Sequence, residues 1–280
     1  MTARAPGRGW PWRRHGAVTL GAALVCLMML AAAAASWIAP YSPYDLDVAK
    51  MLQAPTPEHW LGTDEVGRDV LSRTIHAARI SVEVGLVAVF VGFTGGTLIG
   101  LFAAYFGGLL DLILMRLMEL LFSFPAILLA IMLMASLGTS ILNAMIAIGI
   151  IFIPGFARLA RASTLEVLRQ QYVEAARSVG MGDARIIFRE VLPNILAPSL
   201  VEAAAAFASA VLLESALSFL GLGAQPPEPS WGNMINTGRG FMAQAPWLGI
   251  VPGAALFLCV FGFNLLGDGL RDLLDPHMRD

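Results

Sequence analysis

Six stretches of almost unbroken apolar residues divide the chain, and charged, proline and glycine residues gather between them. The stretches run from Ala17 to Ile38, Ile80 to Phe106, Leu112 to Leu137, Ile141 to about Leu159, about Ile195 to Leu220, and Leu248 to Leu266. A helix needs roughly 20 mainly apolar residues to cross the hydrocarbon core of a bilayer, and each stretch is close to that length. The pattern predicts an all-α, polytopic membrane protein with six transmembrane helices. Only Gly138, Thr139 and Ser140 separate the third stretch from the fourth, a tight turn between antiparallel helices.

Composition sharpens this reading. Of 280 residues, 57% are hydrophobic and only 14% charged, where soluble domains carry about a quarter charged residues. The mean hydropathy is +0.71. A net charge of −2 gives no reason to expect a nucleic-acid partner. Cys26 and Cys259 both lie in apolar runs and read as small buried residues, not as a disulfide or metal pair.

Lysine and arginine set the orientation, because cytoplasmic loops carry the excess. With the N-terminus inside, thirteen of the eighteen fall on the cytoplasmic side and five outside: Lys50, Arg68, Arg73, Arg79 and Arg239. Both termini are therefore expected in the cytoplasm. The predicted organisation is a cytoplasmic tail at 1–16, a first helix at 17–38 and an extracytoplasmic segment at 39–79. A five-helix domain at 80–270 follows, with a cytoplasmic loop at 160–194, then a tail at 271–280. The arginines, apolar run and alanines ending at Ser36 also have the form of a secretory signal. The run is long for a signal, and its removal would leave five spans and contradict the charge distribution.

Within the spans, Ala88, Gly92, Gly96, Gly100 and Ala104 recur every four residues, a small-residue face that lets a neighbouring helix approach closely. Glu202, Ala206, Ala210, Glu214 and Ser218 share a face of the fifth span. A carboxylate in a membrane favours the bundle interior or water, so Glu202, Ala206, Ala210 and Glu214 are candidates for lining a permeation path; Glu214 also lies close enough to the outer end to reach the interface. Arg116 and Glu119, three apart, form an expected ion pair with Asp111 nearby.

The loop at 160–194 is too apolar for a solvated connection: it holds Tyr172, Val173, Val179, Met181, Ile186, Ile187 and Phe188. Ser163 to Val179 reads as one helix, broken by Gly180 and Gly182. Asp183 is expected to cap a second helix, Ala184 to Leu192, which Pro193 stops. Such a hairpin either lies on lipid headgroups or docks a cytosolic partner.

Glu174-Ala175-Ala176, then Gly180, then Leu192-Pro193 resembles the cytoplasmic loop of binding-protein-dependent ABC importer permeases, with Glu190 standing where that family has a branched apolar residue. Five further strings carry the likeness over most of the chain: Gly62-Thr63-Asp64-Glu65-Val66-Gly67-Arg68-Asp69-Val70-Leu71-Ser72-Arg73, Tyr105-Phe106-Gly107-Gly108, Ser123-Phe124-Pro125, Leu217 to Gly232, and Asn264 to Asp272. They are similar to the second permease of dipeptide, oligopeptide and nickel importers. The resemblance implies the type I ABC importer transmembrane-domain fold in a bacterial inner membrane. It implies a related permease as heterodimer partner, two ABC ATPase subunits and an extracytoplasmic solute-binding protein. It also implies an ATPase-coupling loop comprising Glu174, Ala175, Ala176, Gly180, Met181, Asp183, Leu192 and Pro193.

A phosphate-binding loop needs a glycine-rich turn ending in lysine, and the single lysine, Lys50, follows no such turn. ATP and Mg are therefore expected on partner subunits, with no cofactor and no catalytic residue here. His59 and His76, with Asp64 and Glu65, match no standard ligand spacing; the acidic residues and Arg68 read as cap and salt bridges for the helix leading to Arg79. An ion-coupled carrier would show mirrored helix breaks, and an intramembrane protease a catalytic constellation within the spans; the sequence displays neither.

Overall fold

The computed structural model describes residues 11–274. Among them there is no strand, only an isolated bridge between Thr63 and Asp69. Helix α1, Pro11–Ala33, is followed after Ala34 by one further turn, α2, Ala35–Ile38. The Ala34 and Ile38 amides still bond Leu30 and Ala34 carbonyls at 2.9 Å, so the two continue one another. The apolar part of α1 alone, Val18–Ala33, is shorter than a full crossing. Cys259 is buried as expected of a small apolar residue, but Cys26 is exposed.

Helix α3, Val70–Phe106, has 37 residues and is about 55 Å long at 1.5 Å per residue. It begins ten residues before the predicted span, because Asp69 caps it: the Asp69 carboxylate accepts from Ser72 N at 2.7 Å and from Ser72 Oγ at 2.7 Å. Gly107 and Gly108, at φ +62° and +56°, then turn the chain into α4, Gly108–Phe122. Only glycine occupies two such positions in succession without steric cost.

The third apolar stretch is not one straight helix. α4 ends at Ser123, and α5, Ala126–Leu137, leaves at 95° to it. Pro125 is responsible: it lacks an amide proton and pushes Phe124 out of the helical region. Four helices are long and apolar enough to cross a membrane, and this bent pair makes a fifth if counted as one span. Helix α6, Ile141–Val167, starts at the expected turn, where Ser140 Oγ accepts from Asn143 N at 3.1 Å.

A hairpin follows. α7, Gln171–Ser178, is separated from α6 by a turn at Leu168–Gln170, so the single helix expected from Ser163 to Val179 is two. α8, Asp183–Arg185, opens into a wide π turn, Ile186–Val191, and runs on as α9, Leu192–Phe219. Pro193 thus starts α9 and does not stop a helix: the π turn bonds Leu192 N to Ile187 O, five residues back, and Pro193 falls in the first turn, where no amide donor is needed. The expected cap also differs. Gly182 precedes α8 as its N-cap, because the Asp183 side chain is engaged elsewhere. Helix α10, Trp231–Arg239, and α11, Trp247–Leu274, complete the described residues.

Helix α3 packs along α6, α1 along α11, and α9 between α3, α6 and α11. Three buried apolar clusters succeed one another along this bundle. One is centred on Val70, Phe207 and Trp231, one on Val84, Ala88, Ala130 and Ile148, and one on Leu101, Val173 and Ile186. The first lies at the end carrying the segment 39–69 (the cap end), the third at the end carrying the α7–α8 hairpin (the hairpin end).

Candidate functional site

At the hairpin end, one face of the α7–α8 hairpin is buried. Val173 and Ala176 from α7 pack with Ile186, Ile187 and Val191 against Leu101 of α3, Ala160 of α6 and Ile195 of α9. Helical spacing then turns Glu174 and Ala175 outward, and both are exposed, as are Tyr172 and Phe188. Gly180, at φ +79°, closes α7 in a Schellman motif: Met181 N bonds Ala176 O and Gly180 N bonds Arg177 O, each at 3.0 Å. Val179, just before that turn, is 79% exposed. Met181 and Leu192 are half-buried and Pro193 exposed. Asp183 accepts a hydrogen bond from Tyr105 Oη at 2.7 Å, and the Arg177 guanidinium lies 5.8 Å from the Tyr105 ring centroid. The hairpin is therefore fastened to the last turn of α3. Tyr105 belongs to the Tyr105-Phe106-Gly107-Gly108 string, but no local spacing points from it to Asp183.

The small-residue face of α3 meets α6 almost backbone to backbone. A Cβ on Gly92 would lie 2.7 Å from Phe152 Cβ, one on Gly96 2.6 Å from Ile153 O, and one on Gly100 would run into Ala157 O. Across the seam Gly149 answers, its Cβ position 2.7 Å from Val91 Cβ. Close to the hairpin end, Arg161 Nε and Nη2 donate to the two Asp111 carboxylate oxygens at 2.6 Å each, tying α6 to α4. Arg116 pairs with Glu119 at 2.8 Å on the surface of α4. The Asp111–Arg161 pair spans fifty residues, so no local spacing could reveal it.

On α9 the face expected to line a path is divided. Glu202 is exposed, but Ala206, Ala210 and Glu214 are buried inside the chain. Glu214 therefore does not reach the interface: its Oε1 accepts from Ser218 Oγ at 2.6 Å, and Ser218 Oγ in turn accepts from Ala224 N at 3.0 Å. The carboxyl anchors the turn that follows α9.

The cap end is held by charge. Asp64 Oδ1 accepts from Val66 N and Arg68 N at 3.0 and 2.9 Å; Asp64 Oδ2 lies 2.6 Å from Arg68 Nε and 3.5 Å from Arg73 Nε. Arg68 also reaches Glu65 at 3.0 Å. Arg73 Nη1 donates to Pro43 O at 2.9 Å, Tyr44 Oη to Glu228 at 3.0 Å, and Trp231 Nε1 to Thr74 O at 3.0 Å. Segment 39–69 and the loop before α10 are thereby braced on the first turns of α3. His59 Nδ1 contacts Asp69 at 3.0 Å and His76 Nδ1 contacts Ser72 O at 2.9 Å. The exposed Lys50 ammonium, 2.8 Å from Glu58, holds that carboxyl below the usual carboxylate range.

This arrangement has relatives. Residues 96–280 match the family described as binding-protein-dependent transport system inner membrane component, and residues 10–55 the N-terminal TM domain of oligopeptide transport permease C. The chain is 41% identical over 276 residues to the dipeptide transport system permease protein DppC of Alkalihalophilus pseudofirmus, covering 96% of this chain and 91% of that protein. It is 45% identical over 273 residues to the glutathione transport system permease protein GsiD of Escherichia coli, covering 96% and 90%. An inward-facing structure of the MetNI methionine ABC transporter has the same fold, with TM-score 0.59, 18% identity, and coverage of 72% of this chain and 97% of that one. The chain belongs to the family of binding-protein-dependent transport system inner membrane components and is a permease component of an ABC importer.

Proposed function

We propose that this chain is one of two related permease subunits forming the path for a dipeptide, oligopeptide or similarly small peptide, and that its hairpin docks into a separate ATPase. The observation that carries the reading is the division of the hairpin into a buried and an offered face. Val173, Ala176, Ile186, Ile187 and Val191 fix it to α3, α6 and α9, while Glu174, Ala175 and Val179 remain exposed on a short helix. A rigidly seated helix with an uncovered apolar and acidic face is suited to enter a groove on a partner. It transmits that partner's displacement because it shares a core with three spans. The excess of arginine at this end supports a cytoplasmic placement of the hairpin and of both termini.

ATP and Mg are bound by two partner ATPase subunits, and a solute-binding protein delivers cargo to the cap end, where segment 39–69 and α10 form one braced surface. On α9, Glu202 lines the path; Ala206, Ala210 and Glu214 hold its backing in place. The relatives named for dipeptide and glutathione transport support a peptide cargo.

Uptake by the assembled importer in proteoliposomes tests this. The double substitution Glu174→Lys with Gly180→Ala is expected to lower ATP-driven uptake at least about tenfold, the effect of losing roughly 1.4 kcal/mol of coupling. The chain stays inserted, because Glu174 is exposed and a left-handed alanine at 180 costs only about 1 kcal/mol. Full uptake by the inserted double variant, or a purified importer lacking any nucleotide-hydrolysing subunit, would sink the proposal.

A further inference from the structure

Between α4 and α6, at the hairpin end, a cleft is lined by Asp111, Leu112, Met115, Arg116, Glu119, Arg158 and Arg161. Three guanidinium groups converge there, and two are already engaged: Arg161 with Asp111 at 2.6 Å and Arg116 with Glu119 at 2.8 Å. Arg158 differs. It is exposed, and among the described residues no carboxylate lies within ion-pair distance of it. Its guanidinium carbon instead sits 3.7 Å from the centroid of the Phe122 ring. Stacking of this kind holds a weakly hydrated cation in place while its planar donors still point outward.

We propose that this cleft binds the phosphate of an anionic phospholipid, with Arg158 as its principal contact. The carboxylates of Asp111 and Glu119 are neutralised by their own partners, leaving Arg158 as the uncompensated charge. A free phosphate ion shares that chemistry, but it has no use for the apolar wall that Leu112 and Met115 add beside the guanidinium. A lipid uses both: its phosphate meets Arg158 and its acyl chains lie along α4, whose Leu109, Leu112 and Ile113 are exposed. Basic clefts between spans at the cytoplasmic headgroup level take anionic lipids for this reason. The proposal rests on the placement of this end at the cytoplasmic face of a bilayer, but on no ATPase or cargo.

Native mass spectrometry of the full-length chain in detergent, with phosphatidylglycerol or phosphatidylcholine added, tests it independently of transport. The unsubstituted chain is expected to retain phosphatidylglycerol preferentially. Arg158→Gln lowers that occupancy about tenfold, the weight of one hydrogen-bonded charge contact, and Phe122→Leu, which keeps the charge, lowers it about threefold. Arg239→Gln, at the cap end, leaves it unchanged. Unaltered occupancy in both cleft variants, or equal retention of phosphatidylcholine, overturns the proposal. Displacement of the lipid by millimolar inorganic phosphate overturns the lipid assignment in favour of a free anion. Should Arg158→Gln fail to fold, the Phe122→Leu result decides alone.

Discussion

Replacing Gly100 by leucine destabilises the chain by about 3 kcal/mol or more, because the new side chain meets backbone and not a movable side chain. The Cβ position of Gly100 is blocked by Ala157 O, with Arg161 N at 2.8 Å and Ala160 Cβ at 2.9 Å. No rotamer relieves a clash that begins at Cβ, so α3 and α6 must separate. Separation strips contacts from the longest seam in the bundle and pulls Arg161 away from Asp111. The comparison that gives the prediction its meaning is Gly155→Leu on α6, where nothing lies within 4 Å of the Cβ position. Thermal unfolding of the two purified variants, followed by size-exclusion elution, should show a large loss for position 100 and little for 155. Equal losses would mean that added bulk in a membrane helix, not close approach, sets the cost.

The second large effect is at the cap end. Asp64→Ala removes the acceptor shared by two amides and two guanidinium groups, leaving Arg68 and Arg73 half-buried and buried without their carboxylate. Breaking a buried ion pair from one side costs about 3–5 kcal/mol, since the remaining charge is neither solvated nor paired. Glu65 still reaches Arg68, which places the expected loss near the lower end of that range. The damage should be local: segment 39–69 becomes sensitive to added protease, while the spans persist. Glu58→Gln is the contrasting variant, because the Lys50–Glu58 pair is solvent-exposed and its loss leaves protease resistance unchanged. Protection of Asp64→Ala equal to that of the unsubstituted chain would show that the charged network is ornament to a segment held by its apolar contacts.

What could be read in advance, and what could not, follows from the range of the forces involved. Burial of apolar surface is local in sequence for a membrane helix, so the six apolar stretches, the Ser140 turn and the four-residue glycine spacing are all visible in the chain. The break at Pro125 was also visible as a proline inside an apolar run, but hydropathy averages over it and the 95° bend does not register in a count of apolar residues. Pro193 misleads in the opposite sense. Taken alone it ends a helix, whereas the π turn ahead of it places it where no donor is required. Asp183 looks like a cap because caps are local; its bond to Tyr105 is not, and long-range pairing won. The same holds for Asp111 with Arg161. The exposed side of the hairpin was legible as excess apolarity in a loop, but which residues turn outward depends on packing against three other helices.

Helix α3 has a mechanical property that its residues do not display singly. It is an uninterrupted rod without proline, clamped at one extremity by the Asp69 cap and Trp231, and at the other by the Tyr105–Asp183 bond. A rod about 55 Å long that pivots by ~10° at its foot sweeps its head through roughly 10 Å. A displacement of one end of such a rod is thereby delivered to the other without passing through any hinge, as a crank moves through a connecting shaft.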